Sequence, residues 1–448
     1  MSFSNADTIF ALATPPGVSA IAVIRISGVS ALRVPHLFGV EAGVPRTAKR
    51  VFLKDDRGII LDDVMLLGFA APASATGEDV LEIHCHGSVA VIEDILGVLA
   101  KTEGFRPAEA GEFTRRALDN GKMDITAAEG LADLIEAETT LQRRQASAQM
   151  TGQLSRPVGF WREEIARLLA HLEALIDFAD EELPEALRRE IEADTAKLCA
   201  ALETALDDQR FGEIIRNGLS VVIAGPVNAG KSTLMNLLAG RNAAIVSDTE
   251  GTTRDVIEVR LTLSGIPVRL ADTAGFRETA DNIEAEGILR AQTEINTADL
   301  VLLVIDGSQP GWAETADKMC QEFGSPYLII ASKSDKGLVA ADLDEDGYLS
   351  ADLTQSKTAQ KIEAALHSYL APLNQANQTP IITRARHRDA FAAALASLQH
   401  SQTLSWEGDI ALIAEDYRRA ASALGRITGH IDVEELLDHI FSRFCIGK

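Results

Sequence analysis

The sequence predicts a multidomain chain of mixed α/β and α+β class: an α+β region over residues 1–119, a helical region in two pieces (120–216 and 383–448), and a doubly wound α/β unit inserted between them over 217–382. Three observations predict it. A complete G-x-x-x-x-G-K-[ST] phosphate loop, Gly225-Pro226-Val227-Asn228-Ala229-Gly230-Lys231-Ser232, stands between a strand-like run and a helix-like run. The segments before and after that unit are rich in Ala, Glu, Leu and Arg, with apolar residues at helical spacing. The N-terminal region instead mixes short β-type runs with turns.

In the N-terminal region, Ala20 to Ile26 and Asp79 to Ile83 read as strands, accompanied by two helices. The following stretch is helical, with Leu168, Leu172, Leu175 and Ile176 on one face. Leu219 to Ala224 leads into the phosphate loop as a strand, and Ser232 to Leu238 leaves it as a helix that stops at Gly240. Val268 to Ala271 and Tyr327 to Ala331 are further buried-strand runs. Helices return after 382, with Phe391, Leu395 and Leu398 on one face and Leu412, Ile413 and Tyr417 on another. Neither helical piece can bury its apolar face alone, so the two are expected to pack together as one discontinuous domain.

A length of 448 residues with 46% hydrophobic content leaves room for about two to four domains with sizeable cores. The net charge of −24 argues against a surface that grips nucleic acid along its whole extent. The four cysteines, Cys85, Cys199, Cys320 and Cys445, are widely spaced without a paired pattern, as in a reducing compartment. No basic lead-in or long apolar run is present, so a cytoplasmic location without membrane attachment is expected.

The phosphate loop makes a nucleoside triphosphate the expected ligand. Its backbone N–H groups can turn inward around phosphates, Lys231 brings positive charge to the β/γ oxygens, and the Ser232 hydroxyl can ligate Mg²⁺. Asp272-Thr273-Ala274-Gly275 follows a strand, where Asp272 can hold Mg²⁺ through water and the Gly275 N–H can meet a γ-phosphate. In Ser332-Lys333-Ser334-Asp335, the Asp335 carboxylate can accept from guanine N1–H and N2–H₂, donors that adenine lacks. Guanine is therefore the expected base, and GTP the expected nucleotide.

These motifs in this order resemble small GTPases of the translation-factor type, whose base motif is normally Asn-Lys-x-Asp; here Ser332 takes the first place, removing an amide contact. Tyr348-Leu349-Ser350-Ala351 is similar to that family's base loop. Thr252 and Thr253, within Glu250-Gly251-Thr252-Thr253, occupy the first-switch position, where a threonine ligates Mg²⁺ when a γ-phosphate is present. The residues expected to contact GTP are thus Asn228, Ala229, Gly230, Lys231, Ser232 and Thr233; Ser247, Asp248, Thr249, Glu250, Gly251, Thr252 and Thr253; Asp272, Thr273, Ala274 and Gly275; and Ser332, Lys333, Asp335, Ser350 and Ala351. Ser232 and Thr253 are the expected Mg²⁺ ligands. Phe276 follows Gly275 where Ras-type proteins carry a water-positioning glutamine, so hydrolysis must use another group.

Three further stretches extend the resemblance to the whole chain. Asp7-Thr8-Ile9-Phe10-Ala11-Leu12-Ala13-Thr14-Pro15-Pro16-Gly17, the Phe105 to Thr114 segment and the terminal Phe444-Cys445-Ile446-Gly447-Lys448 look like the bacterial MnmE (TrmE) GTPases that modify the wobble uridine of tRNA. The resemblance implies an N-terminal domain that dimerises and binds 5-formyltetrahydrofolate (or methylene-tetrahydrofolate) as one-carbon donor. Arg25, Glu82 and Lys122 match the folate-contacting positions, with the terminal Lys448 as a further candidate. Read from the residues alone, Arg25 equally suits a solvated strand edge.

The resemblance also implies a K⁺ ion beside the nucleotide in place of an arginine finger, with GTPase domains of two subunits approaching on binding. Asn228 matches the K⁺ ligand, with Ser247, Thr249 and Thr252 placed to complete the cage, and Glu284 matches the carboxylate that orients the attacking water. Cys445 matches a thiol needed in the modification, although a small residue at a helix end reads the same way from sequence. The implied partners are a second copy of the chain, tRNA, and an FAD-dependent enzyme of the MnmG (GidA) kind in a heterotetramer. The implied reaction adds carboxymethylaminomethyl at C5 of uridine. A ribosome-assembly switch is disfavoured by the acidic charge, and a stand-alone folate enzyme by the intact Lys231, Ser232 and Asp272. His84-Cys85-His86 lacks the further ligands of a zinc site, and the acidic clusters 180–182 and 344–346 read as solvated.

Overall fold

The computed structural model describes residues 7–177, 185–208, 210–242, 258–263, 265–272, 292–338, 347–374 and 382–429, together with 437, 441, 444, 446 and 447. The chain forms two compact units: Met1–Ala132 with Gln149–Glu192 and Ala393–Lys448, and Asp133–Ala148 with Ala193–Ala392.

The first unit is built on β1 (Thr8–Leu12), β2 (Ser19–Ser27), β3 (Lys49–Lys54), β4 (Ile60–Phe69), β5 (Val80–Gly87) and β6 (Phe105–Pro107), in the order β3-β4-β5-β2-β1-β6. Neighbours are antiparallel except β1 and β6. Alternation gives each strand two faces. Ile24, Ile26, Leu81, Ile83 and Cys85 point one way, into a core with Ile92, Ile95 and Leu99 of α2 (Val89–Ala100) and Val34 of the short α1 (Val34–Leu37). On the other side Ile9 and Ala11 pack with Ala108 and with Phe113 of α3 (Glu112–Asp119). Arg25 lies on β2, an interior strand between β5 and β1, so the solvated-edge reading does not apply.

The helices α4 (Ile125–Glu136), α5 (Thr140–Met150), α6 (Ser155–Asp177), α7 (Glu185–Leu206) and α8 (Phe211–Asn217) follow in sequence. In the second unit, β7 (Leu219–Ala224), α9 (Lys231–Asn242), β8 (Glu258–Leu263), β9 (Ile266–Asp272), β10 (Leu300–Asp306), α10 (Trp312–Cys320), β11 (Tyr327–Ser332), β12 (Leu349–Ser350) and α11 (Ser356–Asn374) form a doubly wound fold. The sheet order is β12-β11-β10-β7-β9-β8, parallel throughout except for the antiparallel β8–β9 hairpin. Leu300 to Ile305 are all buried, the continuous apolar run expected of a parallel strand covered on both faces. Helix α9 continues through Gly240 to Asn242, beyond the stop expected at the glycine. One helical glycine costs only about 1 kcal/mol, which the packing of Leu234 and Leu238 offsets.

The last helices are α12 (Ala385–Ser401) and α13 (Ile410–Thr428). Within the first unit α13 packs along α6. Its buried face is Ile413, Tyr417, Ala420 and Leu424, whereas Leu412 is 56% exposed. Ile413 and Tyr417 of the expected stripe are thus buried and Leu412 alone falls outside it, because packing against α6 rather than hydropathy sets the limits of the buried face. Among the described residues, no helix is long and apolar enough to cross a membrane.

Candidate functional site

The phosphate loop joins the C-terminal end of β7 to the N-terminus of α9, where free backbone N–H groups and the helix dipole favour an anion. Gly225 adopts φ 141° and passes so close to the Val304 carbonyl that a Cβ has no room. Asn228 takes the left-handed region at φ 63°, which asparagine tolerates better than most residues, and its side chain stands exposed. Lys231 is 9% exposed, and its Nζ donates to the Gly225 and Pro226 carbonyls, both at 2.9 Å. The loop thus wraps its own lysine, while Ser232 and Thr233 at the helix start remain exposed.

The expected base-binding residues converge beside this loop. Parallel pairing of β11 with β12 sets Ala331 opposite Ser350, so the Ala351 N–H donates to Ala331 O at 2.9 Å and the Ser334 N–H to Ala351 O at 3.4 Å. Asp335 lies exposed on the turn that follows. Ser332 is fully buried, and its Oγ lies 2.6 Å from Ala229 O of the phosphate loop and 3.0 Å from Ile305 O. The hydroxyl therefore points at the loop backbone, linking the two motifs.

Lys333 adopts φ 58° and pairs with Asp306 at 2.7 Å. Burial alone would raise the Asp306 carboxyl, but hydrogen bonds from Lys333 and Ser308 outweigh it and hold the group at about 2. Sequence reasoning missed Asp306; its signal was an acidic residue closing the Leu300 to Ile305 strand, beside Lys333 across β10–β11. Asp272 closes β9, with its backbone in register with Ile223 just ahead of the phosphate loop. Its side chain, together with Ser247, Asp248, Thr249, Glu250, Gly251, Thr252, Thr253, Thr273, Ala274, Gly275, Phe276 and Glu284, lies outside the described residues, as do Cys445 and Lys448.

A second cluster occupies the sheet of the first unit. Arg25 and Glu82 are cross-strand partners, with Arg25 Nη2 2.9 Å and Nε 3.1 Å from Glu82 Oε1. The guanidinium stands 6.0 Å from the Phe113 ring centroid, and the other Glu82 oxygen meets His84 Nε2 at 3.2 Å. Lys122 is exposed and lies against Gly77 rather than on this pair. Farther along the same face of β2, Ser27 Oγ donates to Glu78, which also receives Arg116. Arg116 and Arg106 both bind the buried Glu112, and together with the Glu109 N–H they overcome the burial that would raise its carboxyl and hold it below the usual range. This network, which sequence reasoning did not find, fastens α3 to the sheet.

The described end of the chain meets this region. Ile446 bridges to Ala110, and Gly447 approaches the Leu12 carbonyl so closely that no side chain fits. Leu12 and Ala11 are the β1 partners of Ile24 and Arg25. His84 and His86 take separate carboxylates, Glu82 and Asp62, and no group of three metal-ligating side chains occurs among the described residues. Cys85 is buried, and burial with the nearby Asp62 carboxylate pushes its thiol up to about 11.

A doubly wound sheet with a lysine-filled phosphate loop beside a guanine-type motif defines a P-loop GTPase. Family models described as "GTP-binding protein TrmE N-terminus" and "MnmE helical domain" match residues 8–122 and 125–445. The chain is 46% identical to the tRNA modification GTPase MnmE of Parvibaculum lavamentivorans, covering 99% of this chain and 100% of that protein. It is 44% identical to the protein of that name from Rhodospirillum rubrum, covering 99% of each. The Paramagnetospirillum magneticum protein is 45% identical over 99% of this chain and its own full length. The chain belongs to the MnmE (TrmE) family of tRNA modification GTPases.

Proposed function

We propose that the protein is a K⁺-activated GTPase that acts on tRNA with an FAD-dependent partner of the MnmG kind, using a folate one-carbon unit to place carboxymethylaminomethyl at C5 of the wobble uridine. The observation that carries this reading is membership of the family over the full chain, joined to a phosphate loop already folded around Lys231. Lys231 and the loop N–H groups bind the triphosphate, Asp335 selects guanine, and Ser332 keeps the loop in register with the base motif. Ser232 and Thr253 suit Mg²⁺, and Asn228, exposed on the loop, suits K⁺ with Ser247, Thr249 and Thr252. These cations supply neutralisation of charge that grows on the β- and γ-phosphates. Glu284 holds the attacking water, a role that Phe276 cannot fill.

Arg25 and Glu82 present a paired cation and carboxylate, both partly buried, a donor and acceptor set that fits the glutamate tail and pterin of a folate, with Lys122 and Lys448 as further contacts. Cys445 supplies the thiol. The working assembly is a homodimer that joins its partner as a heterotetramer in the cytoplasm, with residues 120–216 and 383–448 as one discontinuous helical domain around an inserted GTPase domain of residues 217–382. The test is the modified-nucleoside content of tRNA from a deletion strain complemented with wild type, Lys231→Ala or Cys445→Ser. The proposal requires wobble modification with wild type alone; full modification with either variant contradicts the corresponding role.

A further inference from the structure

The second unit contains a cavity of about 560 Å³ whose two walls carry opposite charge. The β8–β9 hairpin and the end of α8 contribute Arg260, Arg269 and Arg216; the last turn of α4 and the elbow that leads to α5 contribute Asp133, Glu136 and Glu138. Two pairs cross between the walls, Arg216 to Asp133 at 2.9 Å and Arg260 to Glu138 at 3.4 Å. The third is not made: neither Arg269 nor Glu136 has a partner among the described residues, and the Arg269 Nε is buried without an acceptor. Strand register sharpens the mismatch, because Arg260 and Arg269 face each other directly across the hairpin, and like charges in that position repel.

The elbow is fastened. Thr139 and Gln142 form a reciprocal capping box at the start of α5, with Gln142 N to Thr139 Oγ1 at 3.2 Å and Thr139 N to Gln142 Oε1 at 3.1 Å. Gln142 and Gln145 then donate to the Arg216 and Gly212 carbonyls of α8 at 3.2 and 3.0 Å. The hairpin is the other partner: its turn at Gly265 rests on Leu141, β8 comes after the expected first-switch residues 247–253, and β9 ends at Asp272. The hairpin is thus joined in sequence to both expected nucleotide-sensing segments.

We infer that the hairpin and the elbow form a latch, in which Arg269 closes onto Glu136 in one nucleotide state and parts from it in the other. This rests on the GTPase reading and adds a route by which the nucleotide acts on the elbow of the helical segment. A contact made in only one state must change the relative affinity for the two nucleotides.

The test is the ratio of affinities for a non-hydrolysable GTP analogue and for GDP, in wild type, Glu136→Gln, Arg269→Gln and the double variant. Glu136 is exposed, so Glu136→Gln should fold normally. The latch requires the ratio to move by about two- to five-fold in Glu136→Gln, the scale of a partly screened ion pair, with no further change in the double variant. An unchanged ratio in Glu136→Gln, with melting as in wild type, overturns it. So does a rise in melting temperature of wild type in millimolar inorganic phosphate that Arg269→Gln abolishes, since the cavity is then an anion site. Failure of wild type to bind either nucleotide would instead refute the GTPase reading, and loss of tRNA modification alone would leave the latch standing.

Discussion

Replacing Ser332 by alanine removes one hydroxyl and almost no volume, so its effect isolates the bond between the base motif and the phosphate loop. The Oγ is fully buried, 2.6 Å from Ala229 O and 3.0 Å from Ile305 O. Its single proton serves one carbonyl at a time. Without it a buried acceptor loses its donor, at a cost of about 1–2 kcal/mol. Because Ala229 precedes Gly230 and Lys231, most of that cost should fall on the shape of the loop. Nucleotide affinity should then drop by roughly 5- to 30-fold, the factor that corresponds to this energy. Titration with a fluorescent GDP or GTP analogue measures it, with thermal melting alongside to separate loop distortion from general destabilisation. Unchanged affinity in Ser332→Ala would refute the tether, and a lower melting temperature with unchanged affinity would restrict the bond to folding.

Asp306→Asn should release Lys333 and destabilise the second unit by about 1–2 kcal/mol at neutral pH, allowing for solvent screening. Since the folded-state carboxyl lies at about 2, below its unfolded value, this stabilisation is present above roughly pH 4 and is lost as pH falls toward 2. The gap in melting temperature between wild type and Asp306→Asn should narrow below pH 4. Burial raises the Cys85, Cys199 and Cys320 thiols, so brief alkylation at pH 8 of the native protein should modify Cys445 in preference to them; mass mapping that finds Cys85 labelled first would contradict this. Arg25→Ala should lower the binding of 5-formyltetrahydrofolate at least 10-fold in equilibrium dialysis while leaving GTP binding intact, the loss expected when a carboxylate ligand forfeits its charged partner.

Legibility in the sequence followed the range of the interactions involved. Largely buried strands, such as Leu219–Ala224 and Tyr327–Ser332, were readable because local hydrophobicity alone specifies them. The phosphate loop was readable because its geometry demands particular residue types at fixed spacing. The limit of the buried face of α13 was not, since Leu412 and Ile413 are equivalent in hydropathy and only contact with α6 separates them. Arg25 read as a possible edge because strand order is non-local, and nothing near residue 25 announces β5 and β1 as its neighbours. Ser332 read only as a departure from an asparagine pattern. That its hydroxyl turns toward Ala229 depends on a residue about a hundred positions away.

The most direct measurement is the GTP hydrolysis rate of the purified protein in K⁺ and in Na⁺ at equal ionic strength, across a range of protein concentrations. A site completed by a cation at Asn228 and shared between dimerising GTPase domains predicts a rate many-fold higher in K⁺ that rises with protein concentration and falls with Asn228→Ala. Equal rates in the two salts would contradict it, and would turn attention to an arginine of the chain or an activating partner as the source of positive charge.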